Sequence, residues 1–155
     1  MANWCSNWIS TDNQDVIELF KKLEKRQKES GFGETLDWFN DDRYLFEINT
    51  YYSVVTFETK WSPAFKTAES IAKVLNTRIE LNYDEPGMAI YGKTFFYPDG
   101  EIVNYQLQNS DFNRIDWDED TGLYTFEGEE YESDSEIKEI LLEDLIDSRN
   151  SINED

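Results

Sequence analysis

The chain has 155 residues, 39% of them hydrophobic, and a formal net charge of −20 at pH 7. A single cysteine and the absence of histidine exclude an internal disulfide, a histidine-based catalytic centre and a structural zinc site. The acidity also argues against direct binding to nucleic acid or to anionic membranes, because like charges repel.

The first elements are a strand and a helix. Residues 2–10 follow a period of two, which places Trp4 and Trp8 on one side of a strand. Residues 14–29 follow a helical period and predict an amphipathic helix, with its N-cap at Asp12. A Ser-Gly pair then ends the helix.

The next stretch predicts two strands, a helix and a strand. Residues 43–49 and 51–60 are rich in β-branched and aromatic types. Ser62 is the expected N-cap of the second helix, and Pro63 suits its first turn. Residues 78–83 alternate as a strand. The order strand, helix, strand, strand, helix, strand is the split βαβ pattern of ferredoxin-like folds.

Two hairpins and a helix complete the prediction. Residues 88–107 form a hairpin around a Pro-Asp-Gly turn and extend the sheet. Residues 113–127 form a second hairpin, 128–134 an acidic linker, and 134–149 a C-terminal helix with Ser133 in a capping box.

The predicted fold class is therefore α+β. It comprises a ferredoxin-like βαββαβ sheet with helices on one face, extended by β-hairpins and an acidic C-terminal helix. Residues 1–109 form the ferredoxin-like domain, and residues 110–155 form an acidic hairpin-plus-helix extension packed on it. Residues 111–155 hold 17 acidic and 3 basic residues, against 11 and 7 in residues 1–60 and 6 and 4 in residues 61–110.

Three segments carry a resemblance to a known family. They are Ala-Asn-Trp-Cys-Ser-Asn at 2–7, Thr-Lys-Trp-Ser-Pro-Ala at 59–64, and Asn-Tyr-Asp-Glu-Pro-Gly-Met-Ala-Ile-Tyr-Gly at 82–92. Their order and spacing resemble the ferredoxin-like domain of YubB-like plasmid and phage proteins, over residues 1–107. The resemblance implies a ferredoxin-like fold and a mobile-element origin, supplies no catalytic or cofactor residues, and leaves the acidic third unmatched.

The acidic hairpin resembles a calcium-binding loop in part. Asp116, Asp118, Asp120 and Glu127 occupy positions 1, 3, 5 and 12 of an EF-hand loop. However, Thr121 stands where the sharp turn requires glycine, and neither flank predicts a helix. A β-hairpin explains the same residues, so we expect no metal site.

The sequence offers few groups for catalysis. Cys5 lies in a strand without a histidine to activate it, so we expect a packing role. Paired carboxylates could serve a glycosidase, but no pair has an apolar setting. We therefore expect no catalytic residues, no cofactor and no enzymatic activity.

Several aromatic residues could form a stacking platform for single-stranded nucleic acid. Such platforms need basic surroundings, and the chain has a pI near 4.2. A position in the core is therefore the preferred interpretation, and we also expect the loop residue Phe32 to pack on the body. The candidate platform residues are Trp38, Phe39, Tyr51, Tyr52 and Trp61.

The C-terminal helix carries the most specific acidic pattern. Glu136, Glu139, Glu143 and Asp147 are spaced by 3, 4 and 4 residues and lie on one helical face. They extend over about 16 Å, where a DNA duplex would carry roughly nine charges, so the helix alone cannot imitate DNA. The 17 acids together would match about 29 Å of duplex, if hairpin and helix share a face.

We expect the acidic third to be a partner-binding surface. Its residues are Asp116, Asp118, Glu119, Asp120, Glu127, Glu129, Glu130, Glu132, Glu136, Glu139, Glu143 and Asp147.

The favoured hypothesis is a non-enzymatic phage or plasmid protein of the host cytoplasm. It would bind and inhibit a basic, nucleic-acid-handling host protein, such as a defence nuclease complex, in the manner of an antirestriction or anti-CRISPR protein, with nucleic-acid mimicry as one mechanism. The alternative is a general interaction or structural module whose acidity serves solubility. The partner's identity and the oligomeric state are left open, and no membrane or direct nucleic-acid contact is expected.

Overall fold

The computed structural model describes residues 3–38 and 44–153. The chain divides into two compact units, Met1–Asn104 (the N-terminal unit) and Tyr105–Asp155 (the acidic unit). In chain order, the strands and helices are β1 Trp4–Ser10, α1 Gln14–Ser30, β2 Phe46–Thr50, β3 Val54–Lys60, α2 Phe65–Val74, β4 Ile79–Glu85, β5 Ile90–Phe96, β6 Ile102–Gln106, α3 Asn109–Phe112, β7 Asp116–Asp118, β8 Leu123–Phe126, β9 Glu129–Tyr131 and α4 Asp134–Asn153.

The main sheet has six strands in the order β2-β3-β1-β4-β5-β6. Strand β1 lies between β3 and β4 and is antiparallel to both, so that Trp8 faces Thr56 on one side and Asn82 on the other. The first four strands thus have the order of a ferredoxin-like sheet, and the two later strands extend it at the β4 edge. The predicted α+β fold is confirmed.

The core lies between this sheet and the two helices. Along β1 the side chains alternate, and Cys5, Asn7 and Ile9 are buried. Helix α1 contacts β2 and β3, whereas α2 contacts β4 and β5. Phe20 of α1 stacks on Phe57 of β3, with ring centroids 5.5 Å apart. The apolar residues that the helical and strand periods of the sequence place on one side of each element therefore form one hydrophobic cluster.

Asn7 is a polar residue within this core. Its Oδ1 accepts a hydrogen bond from the backbone N–H of Ala64 at 2.9 Å. Its Nδ2 donates to Thr59 Oγ1 at 2.9 Å and to the carbonyl of Cys5 at 3.1 Å. One buried amide therefore links β1 to β3 and to the residue that precedes α2.

Two buried titratable groups, Cys5 of β1 and Tyr83 of β4, are held neutral. Burial raises the pKa of the Cys5 thiol to about 12, and the nearby carboxylates of Glu85 and Asp84 add to the effect. Burial likewise raises the pKa of Tyr83 to about 12. A thiol that stays protonated is a poor nucleophile, which agrees with the expected packing role of Cys5.

The helix caps differ from two sequence predictions. The N-cap of α1 is Asn13, whose side chain accepts from the N–H groups of Asp15 and Val16, and Asp12 is not the cap. The N-cap of α2 is Ala64, which makes no side-chain hydrogen bond. The predicted cap, Ser62, lies two residues before Ala64 and is not at the cap position. Gly31 ends α1 in the left-handed conformation, as predicted.

The acidic unit contains a three-stranded sheet in the order β7-β8-β9. Its first two strands form the predicted hairpin. The predicted linker at 128–134 is wrong, because β9 pairs with β8 through a two-residue turn at Glu127 and Gly128. Both turn residues have positive φ, 50° and 81°, which is the geometry of a type I′ hairpin. Helix α4 contacts β9 and ends four residues later than predicted.

The short helix α3 was not predicted. None of the helices found in residues 3–38 and 44–153 is long and apolar enough to cross a membrane.

Candidate functional site

The three-stranded sheet of the acidic unit, called the small sheet below, carries three carboxylates on one face, called the hairpin face. In the sheet register, Asp116 lies opposite Thr125, and Thr125 lies opposite Glu130. Asp118 is two residues beyond Asp116 and therefore projects on the same side. All three acids are exposed. This face of the small sheet is thus acidic.

The opposite face of the same sheet is aromatic. Trp117 lies opposite Tyr124, which lies opposite Tyr131, and Phe126 is 3% exposed. Glu129 shares this face and accepts a hydrogen bond from the hydroxyl of Tyr131 at 3.1 Å, which raises the pKa of that tyrosine. Glu129 is therefore separated from the acids of the other face.

The turn between β7 and β8 places two more acids at the hairpin tip. Asp118 Oδ1 accepts from the N–H of Asp120, and the Asp118 carbonyl accepts from the N–H of Gly122. Glu119 and Asp120 lie between these bonds and are exposed. Across the described residues, no three acidic or cysteine side chains are grouped as metal ligands would be. The hairpin accounts for the partial calcium-loop pattern.

One of the predicted acids is paired. Arg114 donates to Glu127 through Nη2 at 2.7 Å, and its guanidinium lies 5.1 Å from the ring centroid of Phe126. The charge of Glu127 is therefore partly compensated within the acidic unit. An exposed pair of this kind contributes about 0–1 kcal/mol.

Helix α4 presents its acids away from its buried side. Ile137, Leu141 and Leu142 are buried. Glu136, Glu143 and Asp147 are exposed, and Glu139 is half-buried. Three of the four predicted helical acids are therefore exposed, and Glu139 is only partly so. Of the twelve predicted residues, the hairpin face, the hairpin tip and α4 hold nine, whereas Glu127, Glu129 and Glu132 stand apart.

A second candidate site lies on the sheet of the N-terminal unit. A groove of about 900 Å³ runs over the sheet face opposite the helices. Its walls include Trp4 and Trp8 from β1, Phe46 and Glu47 from β2, and Glu58 and Lys60 from β3. Trp4, Ser6 and Trp8 line it from the outer side of β1, and the groove also reaches the buried Asn7.

The aromatic wall of this groove already holds a cation. The rings of Trp4 and Phe46 meet edge to face, with centroids 5.2 Å apart and planes at 82°. Lys60 Nζ lies 5.7 Å from the Trp4 ring and 5.4 Å from the Phe46 ring. Both distances are within the range of cation–π attraction. The ring faces are therefore suited to positive charge.

A β-bulge shapes the β2 side of the groove. The register between β2 and β3 shifts between Phe46 and Asn49, and Glu47 has a φ of 49°. The side chain of Gln27, from α1, fastens this irregular strand: its Oε1 accepts from the N–H of Ile48 at 2.7 Å. Its Nε2 donates to the carbonyl of Leu45 at 3.0 Å. Bulges of this kind often redirect side chains beside binding sites.

The groove was missed by sequence reasoning, although one signal was present. The period-two pattern placed Trp4 and Trp8 together, on the side of β1 that does not face the core. Large aromatic residues on the outer face of a half-buried strand are an indication of a binding surface. Phe46, Glu58 and Lys60 come to lie beside these two tryptophans only because β2 and β3 follow β1 on one side of the sheet.

Four of the five aromatic residues considered for a stacking platform are not in the core, so for these four that interpretation is wrong. Trp38, Tyr51, Tyr52 and Trp61 are exposed, with Tyr52 at 94%. The loop residue Phe32 is exposed as well. Phe39 lies outside the described residues. Trp38 is fixed by a hydrogen bond from its indole N–H to Ser70 Oγ at 2.7 Å.

Comparison with known proteins gives one result. Residues 42–127 match the family described as the ferredoxin-like domain in Api92-like protein. The match includes two of the three resemblance segments but not the one in β1, and it extends past residue 107 through β8. No curated protein and no solved structure matches the chain. Since the match covers more than half of the sequence, the chain belongs to the family of ferredoxin-like domains found in Api92-like proteins.

Proposed function

We propose that this protein is a non-enzymatic inhibitor that binds a basic, nucleic-acid-handling protein through the carboxylates of the acidic unit. The observation that carries the proposal is the separation of three exposed acids from the aromatic residues of the small sheet. Asp116, Asp118 and Glu130 share one face of the small sheet, and the aromatic residues occupy the other. The acids are thus free of a role in packing and available to a partner.

The charge of the unit supports a basic partner. Residues 111–155 carry 17 acids and 3 bases, and residues 105–110 carry no charge. A concentrated field of one sign steers an oppositely charged partner and accelerates association, most strongly at low ionic strength. Protein surfaces that bind nucleic-acid phosphates carry a high density of positive charge. Such a surface is the complement of this acidic unit.

The spacing of the hairpin acids sets a limit on mimicry. Two strand spacings separate Asp116 from Glu130 across the sheet, about 10 Å, and Asp118 lies about 7 Å along the strand from Asp116. Ten ångströms of duplex carry about six charges, so three acids supply about half of that density. Imitation of a longer segment requires the acids of the tip and of α4 to act with the hairpin face.

The proposed biological setting is a phage or plasmid protein acting in the host cytoplasm against a defence nuclease complex. The resemblance of the segments 2–7, 59–64 and 82–92, taken together, to YubB-like proteins supports the mobile-element origin. The acidity of the unit supports the class of target. In this setting, bound inhibitor and nucleic acid exclude each other on the partner.

The experiment compares two variants with the same net charge. The test variant neutralises four exposed acids of the small sheet and its tip, Asp116→Asn, Asp118→Asn, Glu119→Gln and Glu130→Gln. The matched control neutralises four exposed acids of the N-terminal unit, Asp12→Asn, Asp15→Asn, Glu29→Gln and Glu101→Gln.

Each immobilised protein is exposed to host lysate at low salt. Captured proteins are identified, and the association rate and competition with DNA or RNA are then measured with the purified partner. We expect slower association for the test variant only, and mutually exclusive binding of nucleic acid. The solubility alternative predicts the same binding for all three proteins and more aggregation of both variants.

A further inference from the structure

We infer that the groove on the N-terminal unit is a second binding site, and that its occupant is an arginine side chain within an extended peptide. The inference does not depend on the acidic unit. It rests on the aromatic rings, the carboxylates and the internal cation that the groove brings together.

The rings provide the stacking surface. Trp4 is 43% exposed, and Trp8 and Phe46 are partly exposed beside it. Lys60 already lies over two of these rings, at 5.4 and 5.7 Å. A guanidinium group stacks on such rings better than an ammonium group, because it is planar and less strongly hydrated.

The carboxylates provide the polar contacts. Glu58 is opposite Phe46 in the β2–β3 register and opposite Ser6 in the β1–β3 register, which places it between the two aromatic strands. Glu47 lines the same groove from the bulge. A carboxylate beside an aromatic face is the arrangement that holds arginine by two parallel hydrogen bonds and a stacking contact.

The charge around the groove opposes an anionic ligand. Ser6 has Glu58 on one side and Asp84 on the other. Two carboxylates, those of Glu47 and Glu58, line the groove against the single ammonium group of Lys60, and Asp84 lies one strand beyond it. A nucleotide would stack on the same rings, but its phosphate would meet this negative field. The volume of about 900 Å³ exceeds one side chain, so neighbouring residues of a peptide also fit.

Binding is measured by NMR with the full chain. The probe is the acetylated and amidated peptide Gly-Arg-Gly, compared with the same peptide carrying neutral citrulline and with adenosine monophosphate. We expect the arginine peptide to shift the indole N–H signals of Trp4 and Trp8 and not that of Trp117. The citrulline peptide should bind about tenfold more weakly, the loss expected for one charge-assisted contact.

Two charge-neutralising variants within the groove should act in opposite directions. Glu58→Gln should weaken binding of the arginine peptide about tenfold. Lys60→Gln should tighten it by about threefold, since a competing cation leaves the rings. Glu101→Gln, an exposed acid outside the groove, should change nothing.

The outcomes separate the ligand classes. Equal binding of the arginine and citrulline peptides, or unchanged binding by Glu58→Gln, would overturn the inference. Tighter binding of adenosine monophosphate, weakened by Lys60→Gln, would assign the groove to an anionic ligand and overturn it as well. The peptide comparison uses the unmodified protein, so it decides the question even if a variant is unstable.

Discussion

Replacing Asn7 with alanine tests how the N-terminal unit is held together. The side chain is 1% exposed and forms three hydrogen bonds, to Ala64, Thr59 and Cys5. The most costly loss is the acceptor for the backbone N–H of Ala64, a residue that is only 5% exposed.

The expected loss of stability follows from these contacts. An unsatisfied buried N–H costs about 1–3 kcal/mol, and each remaining hydrogen bond contributes about 0.5–1.5 kcal/mol net. Thr59 keeps a bond from its hydroxyl to the carbonyl of Ser62, which reduces its share. We expect a total of about 2–4 kcal/mol, and a decrease in Tm of about 4 °C for each kcal/mol.

Urea unfolding followed by near-UV circular dichroism measures this loss. Ser6→Ala is the matched control, because Ser6 is the neighbouring exposed residue and its replacement should change the free energy of unfolding by less than about 0.5 kcal/mol. Asn7→Asp keeps an acceptor for Ala64 but places a carboxylate against the carbonyl of Cys5. If Asn7→Ala and Ser6→Ala unfold at the same urea concentration, the buried amide does not hold the unit together and the reasoning fails.

Three further predictions concern the same unit. Residues 1–109 should unfold in one cooperative thermal transition when expressed alone, because the whole hydrophobic cluster lies within Met1–Asn104; a chain without a transition would contradict this. The pKa of Cys5 is raised from 9.0 to about 12, so the unfolded chain releases the thiol proton first. Stability should therefore be independent of this group below pH 9 and fall above it, by about 1.4 kcal/mol per pH unit, and urea titrations at pH 8–10.5 should show a shallower decline for Cys5→Ala. Gly31→Ala should cost about 1 kcal/mol by thermal unfolding, since φ is +77° with no atom within 4 Å of an added Cβ; a loss no larger than that of Ser30→Ala would exclude backbone strain as the cause.

The ferredoxin-like unit could be predicted because apolar residues recur with a clear strand or helix period along its sequence. Trp4 and Trp8 marked the alternation of β1, and the stripe of Val16, Phe20 and Leu23 marked the buried side of α1. These signals are local, so they do not depend on which strands become neighbours. The order of elements then limited the topology to a small number of choices.

Strand β9 could not be predicted from its residue types. Glutamate is depleted in strands, and Glu127-Gly128 is a weaker turn signal than Asn-Gly or Asp-Gly. Pairing with Tyr124 through Tyr131 outweighs that low preference. The acid-rich stretch therefore has the composition of a linker and the structure of a hairpin.

The exposed aromatic residues were misassigned for a related reason. Composition indicates that a core exists but does not assign individual residues to it. Tyr51 and Tyr52 lie in the connection between β2 and β3 and are exposed. The groove depends on contacts between Trp4, Phe46 and Lys60, which are distant in sequence.

The hydrogen bonds of Gln27 have a consequence for substitutions in helix α1. This residue lies on a helix, on the core side of the sheet, yet its amide fixes the backbone of the strand that forms one wall of the groove. A change of helix α1 at this position would release the bulge at Glu47 without contacting the groove. A substitution at position 27 should therefore change the course of β2 at Glu47, and through it the β2 side of the groove, without altering any residue that lines the groove.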